Sequence, residues 1–148
     1  MKICIIGSYL WNGKDIPIAK KVIKLIFDAL QKYNDMEIIS GECPKGGVDI
    51  WAKEEALDRQ MDYMGFFPEG NSKPYYMKRN KEMAKACDVL FRVASQVSKT
   101  YGSGITMKWA SEMGKPVLNI IVMKELDFKG LGNSIVDTID RAKGYNPK

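Results

Sequence analysis

Five short apolar runs, alternating with segments of helical period, constrain this chain more than any other feature. They lie at residues 2–7, 36–40, 61–67, 88–93 and 117–122. Runs of that length without strict alternation fit strands buried on both faces. Helical patterns stand between them, at about 16–33, 48–60, 75–86 and 104–113, with a short last helix at 134–142. The clearest is the first, where Ala19, Val22, Ile23, Ile26 and Leu30 form an apolar stripe opposite lysines. Asp15 is a suitable N-cap there, and Pro17 falls in the first turn, where proline is tolerated. Strand and helix in strict alternation specify an α/β fold. The expectation is a single doubly wound domain, a parallel sheet of about five strands with helices on both faces. The run at 117–122 is nearly all apolar, which predicts a central strand. The five runs all fall within residues 1–122. Residues 123–148 would form a C-terminal extension, irregular over 124–133, with its short helix packed on the same domain.

Composition narrows the function classes. With 45% hydrophobic and 28% charged residues, the 148-residue chain has the make-up of a globular domain. No apolar run approaches the roughly 18–20 residues that span a bilayer. The first run is too short for a signal peptide, so a cytoplasmic protein without a membrane partner is expected. Three cysteines argue against a disulfide framework; Cys4 and Cys87 sit in or beside apolar runs, whereas Cys43 lies in a loop. The absence of histidine excludes Ser-His and Cys-His catalytic pairs and histidine-ligated metal sites. No metal site is expected. The net charge of +5 favours anionic partners, although the lysines are scattered.

In a doubly wound sheet, ligands bind beyond the carboxyl ends of the strands, where strand order reverses. The loops that gather at that edge begin at Gly7, Ser40, Phe67 and Val93. The second carries Gly41, Gly46 and Gly47 before a helix, which suits close approach of backbone N–H groups to an anion. Ordinary turn punctuation is the competing reading of those glycines. Gly102, Ser103, Gly104 and Thr106 open the fourth helix and could hold phosphate with N–H and O–H donors; a plain N-cap at Ser103 is the alternative. Arg79 offers a planar fork for phosphate, with Asn80 as donor and acceptor beside it, or both belong to an exposed helix face. Asp49 could meet the helix dipole, stiffen the glycine loop or accept from a ribose hydroxyl.

In order, the chain shows a strand followed by Gly-Ser at 3–8 and Ser-Gly-x4-Gly-Gly-Val-Asp-x2-Ala at 40–52. Arg-Asn-x2-Met at 79–83, Asp-Val at 88–89, Gly-Ser-Gly at 102–104 and Gly-Lys-Pro-Val at 114–117 follow. In this order and spacing the chain resembles the SLOG superfamily, in particular its small YspA/YpsA-type branch, over about residues 1–122. The resemblance implies a Rossmann-like fold that binds a nucleotide or a nucleotide-derived ligand such as an NAD or ADP-ribose relative, with no further cofactor required. It would place Gly7, Ser8, Gly41, Gly46, Gly47, Asp49, Arg79, Asn80, Gly102 and Ser103 at the pocket. Tyr9 stands where the family often has arginine, and Tyr101-Gly102-Ser103 replaces its Gly-Gly-Thr. Dimerisation is implied as well.

The enzymatic relatives in that superfamily, the LOG-type phosphoribohydrolases, cleave nucleoside monophosphates with a helix glutamate after Pro-Gly-Gly-x-Gly-Thr. The corresponding position here is Trp109 or Thr106, depending on alignment, and neither is acidic. Such cleavage needs a carboxylate to support an oxocarbenium-like state or to activate water. Asp49 or Glu42 would have to supply it. The leading expectation is therefore a binding module acting as a sensor, with an N-glycosidic hydrolase second. Single-stranded nucleic-acid binding, as in DprA-like relatives, is third, resting on the +5 charge and the lysines between Lys73 and Lys85.

Overall fold

In a computed structural model the described residues form five strands and five helices in strict alternation. Residues 1–97 and 101–144 are described. The elements are β1 (Lys2–Gly7), α1 (Ile16–Leu30), β2 (Glu37–Ser40), α2 (Val48–Asp58) and β3 (Asp62–Gly65). They continue with α3 (Lys73–Ala86), β4 (Val89–Ser95), α4 (Tyr101–Glu112), β5 (Val117–Val122) and α5 (Phe128–Ala142). All strand pairs are parallel, in the order β3-β2-β1-β4-β5. This is the α/β fold that the alternation predicts, and it is Rossmann-like.

The sheet has two covered faces, and each strand of the middle serves both. Ile3 and Ile5 of β1 pack with α1, α2 and α5, whereas Cys4 and Ile6 pack with Met83 of α3 and Ala110 of α4. Both sets are fully or almost fully buried. That explains why β1 reads as a continuous apolar run rather than an alternating one. Burying a side chain of this size contributes about 1.5–3 kcal/mol.

Three expectations need correction. The strand at 117–122 lies at an edge, not in the centre. Its apolar content reflects cover on its faces: Ile120 and Val122 are buried beside Ile135 and Ile139 of α5, while among the described residues one backbone edge has no strand beyond it. The third strand covers only Asp62–Gly65 and is the other edge, with Asp62 and Met64 exposed. The last helix begins at Phe128 rather than 134, because the Asp127 side chain caps it by accepting from Gly130 N at 3.0 Å. Phe128, Leu131, Ile135 and Ile139 then face the core, so a helix as long as α1 replaces the irregular stretch and short helix. Asp15 precedes α1 without a side-chain cap and contributes its carbonyl to Ala19 N. The remaining boundaries stand close to expectation, and Pro17 does fall in the first turn. Among the described residues, no helix is long and apolar enough to cross a membrane.

Candidate functional site

The direction of winding reverses between β1 and β4, so the loops leaving these neighbours diverge and open a crevice. Ser8 stitches its floor. Its N–H donates to Val93 O at 3.1 Å and its Oγ accepts from Ser95 N at 2.9 Å. Its carbonyl accepts from Val48 N at 3.1 Å and from Trp11 Nε1 at 2.7 Å. Ser8 is fully buried and serves as scaffold beneath the cleft, whereas Gly7 and Tyr9 on either side line it. A Cβ on Gly7 would collide with the Val93 carbonyl, which is why the strand ends there in glycine.

The glycine loop is folded tightly over that floor. Gly47 has φ 80° and ψ −151°, a region open in practice to glycine, and a Cβ on it would run into Ser8 O and Tyr9 Cα. Gly46 also has a positive φ but open space around it, so it supplies a turn and does not line the cleft. Neither does Gly47. Asp49, in the first turn of α2, is 7% exposed, and its Oδ1 accepts from Gly7 N at 3.3 Å. Burial pushes its carboxyl up to about 6; the nearby Arg79 charge and the N–H groups of Gly7 and Cys43 act the other way. Of the three roles open to Asp49 from sequence, stiffening the loop is therefore one it performs.

Glu42 points elsewhere. Its backbone has φ 45°, and its carboxylate pairs with Lys53 and packs against Gly65 of β3. It does not line the cleft, so the structure separates the two candidate carboxylates.

Arg79 and Asn80 sit in the interior of α3, at 8% and 6% exposure, not on an exposed helix face. The Arg79 Nε donates to Asn80 Oδ1 at 2.8 Å, and Nη1 donates to Gly41 O with a longer contact of 3.5 Å to Phe66 O. Gly41 is squeezed between the two charged groups: a Cβ there would stand 2.9 Å from Asp49 Oδ2 and 3.2 Å from Arg79 Cζ. Among the described residues, no carboxylate comes within 4 Å of the guanidinium as an ion-pair partner. Carbonyl and amide oxygens accept from it, and the Asp49 carboxyl lies near enough to interact through charge.

The opposite wall comes from α4, which begins at Tyr101 and so includes the Gly-Ser-Gly within its first turn. Gly102, Ser103 and Thr106 line the cleft; Gly104 does not, and a Cβ there would meet nothing nearer than Arg92 at 3.8 Å. Thr106 Oγ1 donates to Gly102 O at 2.8 Å. Ser103 Oγ accepts from Arg92 Nε at 2.9 Å, and Arg92 Nη1 donates to Asn119 Oδ1 at 3.0 Å. The middle of the polar segment 95–103, residues 98–100, lies outside the described residues.

Together these walls enclose a cleft of about 330 Å³. Among solved structures, the chain is similar to TM1055, a structural-genomics target: TM-score 0.57, 16% identity, 78% of this chain and 71% of that chain covered. The likeness is one of fold. No protein-family model matches the chain, and no curated protein matches it. Among the described residues, no group of three or more acidic or cysteine side chains is placed to hold a metal ion.

Sequence reasoning missed several lining residues. Tyr76 and Met83 line the cleft from α3, one turn before and after Arg79 and Asn80, so helical spacing from the arginine was the available signal. Ile6 precedes Gly7 at the strand end, and Cys43 lies inside the glycine loop. Cys4 and Cys87 are fully buried, as their apolar surroundings suggest. Trp11 and Trp51 pack on the core margin with ring centroids 5.7 Å apart, and Trp109 borders the other cluster.

Proposed function

We propose that the cleft binds a nucleotide or a nucleotide-derived ligand, with an anionic group held at Arg79, in a module of the SLOG type. The observation that carries this reading is Arg79 itself. A guanidinium that is 8% exposed and lines a cleft, with the Asp49 carboxyl nearby but no carboxylate in contact within 4 Å among the described residues, has room to take an anion. The cleft lies between the diverging β1 and β4 loops, where doubly wound sheets receive ligands. Its volume falls at the small end of the usual range of about 300–1,000 Å³ for ligand sites. Tyr9, Tyr76 and Met83 give it apolar and aromatic surface for a flat ring, with Asp49, Arg79, Asn80, Ser103 and Thr106 as polar groups. The proposal includes a homodimer, which the resemblance implies, a place in the cytoplasm and a sensing role.

Thermal shift against AMP, ADP, NAD, ADP-ribose, cyclic mononucleotides and CMP tests this reading. A ligand at about a hundred times its dissociation constant stabilises by roughly 3 kcal/mol. The shift should shrink strongly in Arg79→Lys, which keeps the charge and loses the fork. No shift with any of these compounds would refute the cleft as a nucleotide site and bring single-stranded nucleic acid forward.

A hydrolase is the second reading, favoured by one observation: Asp49 lines the cleft with its carboxyl raised to about 6, near the range useful for acid–base work. Chromatography of the same samples distinguishes the two, because a hydrolase releases free base and a binding module returns the nucleotide intact.

A further inference from the structure

The cleft contains a second charged group besides the arginine, and its placement constrains how an anion can enter. Asp49 and Arg79 are each at least nine-tenths buried, line the same cleft, and approach Gly41 from two sides. They do so without forming an ion pair within 4 Å. Any anion attracted to the guanidinium must therefore approach a buried carboxylate. Two like charges in a water-poor site disfavour each other strongly, and the group that can change its charge does so.

We infer that anion binding in this cleft is coupled to uptake of one proton by Asp49. The inference rests on the proposal that the cleft takes an anionic, nucleotide-like ligand. It deepens that proposal by stating how the site is regulated. The surroundings of Asp49 permit the change. From β1, the Gly7 N–H donates to Oδ1, and a neutral carboxyl can still accept that bond while its other oxygen carries the proton. The Arg79 guanidinium from α3 and the Cys43 N–H of the loop also act on it, and its own charge raises the Cys4 thiol of β1 and Tyr63 of β3. Glu42 acts on Tyr63 as well, and its charge is met by Lys53. Arg79 is the positive member of this set nearest the cleft, so an anion that occupies its field removes what holds the Asp49 proton off. The carboxyl in the free protein already sits at about 6, so little further rise is needed to protonate it near neutrality.

Linkage gives the sign. The bound state holds the Asp49 proton more tightly than the free state, so affinity should be nearly level below about pH 6 and fall by up to about tenfold per pH unit above it. Isothermal titration of the wild-type chain with NAD and with cyclic AMP, near neutral pH in buffers of different ionisation heat, counts the protons directly. Neither probe carries a phosphate that titrates in this range, so the protons counted belong to the protein. AMP serves as a third probe, with its own phosphate titration measured separately and subtracted. The expected result is net proton uptake of up to one per ligand, abolished in Asp49→Asn, whose affinity no longer changes with pH. Binding with heats independent of buffer would overturn the coupling while leaving the nucleotide site intact. Absence of binding by all three probes would overturn both. The wild-type proton count decides the matter even if Asp49→Asn folds poorly.

Discussion

The Ser8 hydroxyl accepts the Ser95 amide proton at 2.9 Å, joining the ends of β1 and β4 at the point where their loops part. Both residues are buried. Ser8→Ala would leave the Ser95 N–H without this partner, at a cost of about 1–3 kcal/mol. Urea denaturation should show that loss, with the largest gain in amide exchange at the start of the β4–α4 loop. An unchanged midpoint would mean the contact contributes nothing net.

Gly47 tests the backbone argument. Its φ and ψ lie in a region that is essentially restricted to glycine, and a Cβ would collide with the Ser8 carbonyl and Tyr9. Gly47→Ala should destabilise by more than about 1–3 kcal/mol, the usual range for backbone strain of this kind, because a collision is added to it. By contrast, Gly13→Ala has open space and no positive φ, and should leave thermal stability nearly unchanged.

Asp49 makes the stability of the free protein pH-dependent. Its folded pKa of about 6 lies above the ordinary 3.8, so the folded chain binds this proton more tightly than the unfolded chain. The resulting stabilisation is fully present below about pH 4 and is lost as pH rises through 6. The gap between these two values corresponds to at most about 3 kcal/mol. Relative to wild type, Asp49→Asn should therefore melt progressively higher as pH is raised from 4 to 7. A constant difference across that range would rule out the raised carboxyl.

Tyr33 donates to Asp140 Oδ1 at 2.8 Å and ties the residues after α1 to α5, far from the cleft along the chain. Tyr33→Phe should cost about 1 kcal/mol by chemical denaturation. Its nucleotide affinity should equal that of wild type, which separates loss of stability from loss of the site.

Much of the fold was legible from local pattern. The apolar runs announced five strands, and the stripe from Ala19 to Leu30 announced α1, because burial of one helix face or of both strand faces leaves its period in the sequence. The glycines at 7 and 47 were legible as special, since backbone contact and positive φ exclude a side chain at those positions. Neighbours were another matter. Hydropathy reports that Val117–Val122 has covered faces, but not that its outer edge lacks a strand among the described residues; which strands pair is decided by the packing of helices that lie far apart in sequence. The capping bond from Asp127 outweighed the helix-breaking tendency of Gly130 and Gly132. In the site, sequence named Ser8, Glu42, Asp49 and Arg79 alike. Only the folded chain turned Ser8 into the floor and Glu42 toward Lys53, and buried Asp49 and Arg79 on either side of Gly41. Side-chain direction depends on rotamers and on partners tens of residues away, and no local period encodes it.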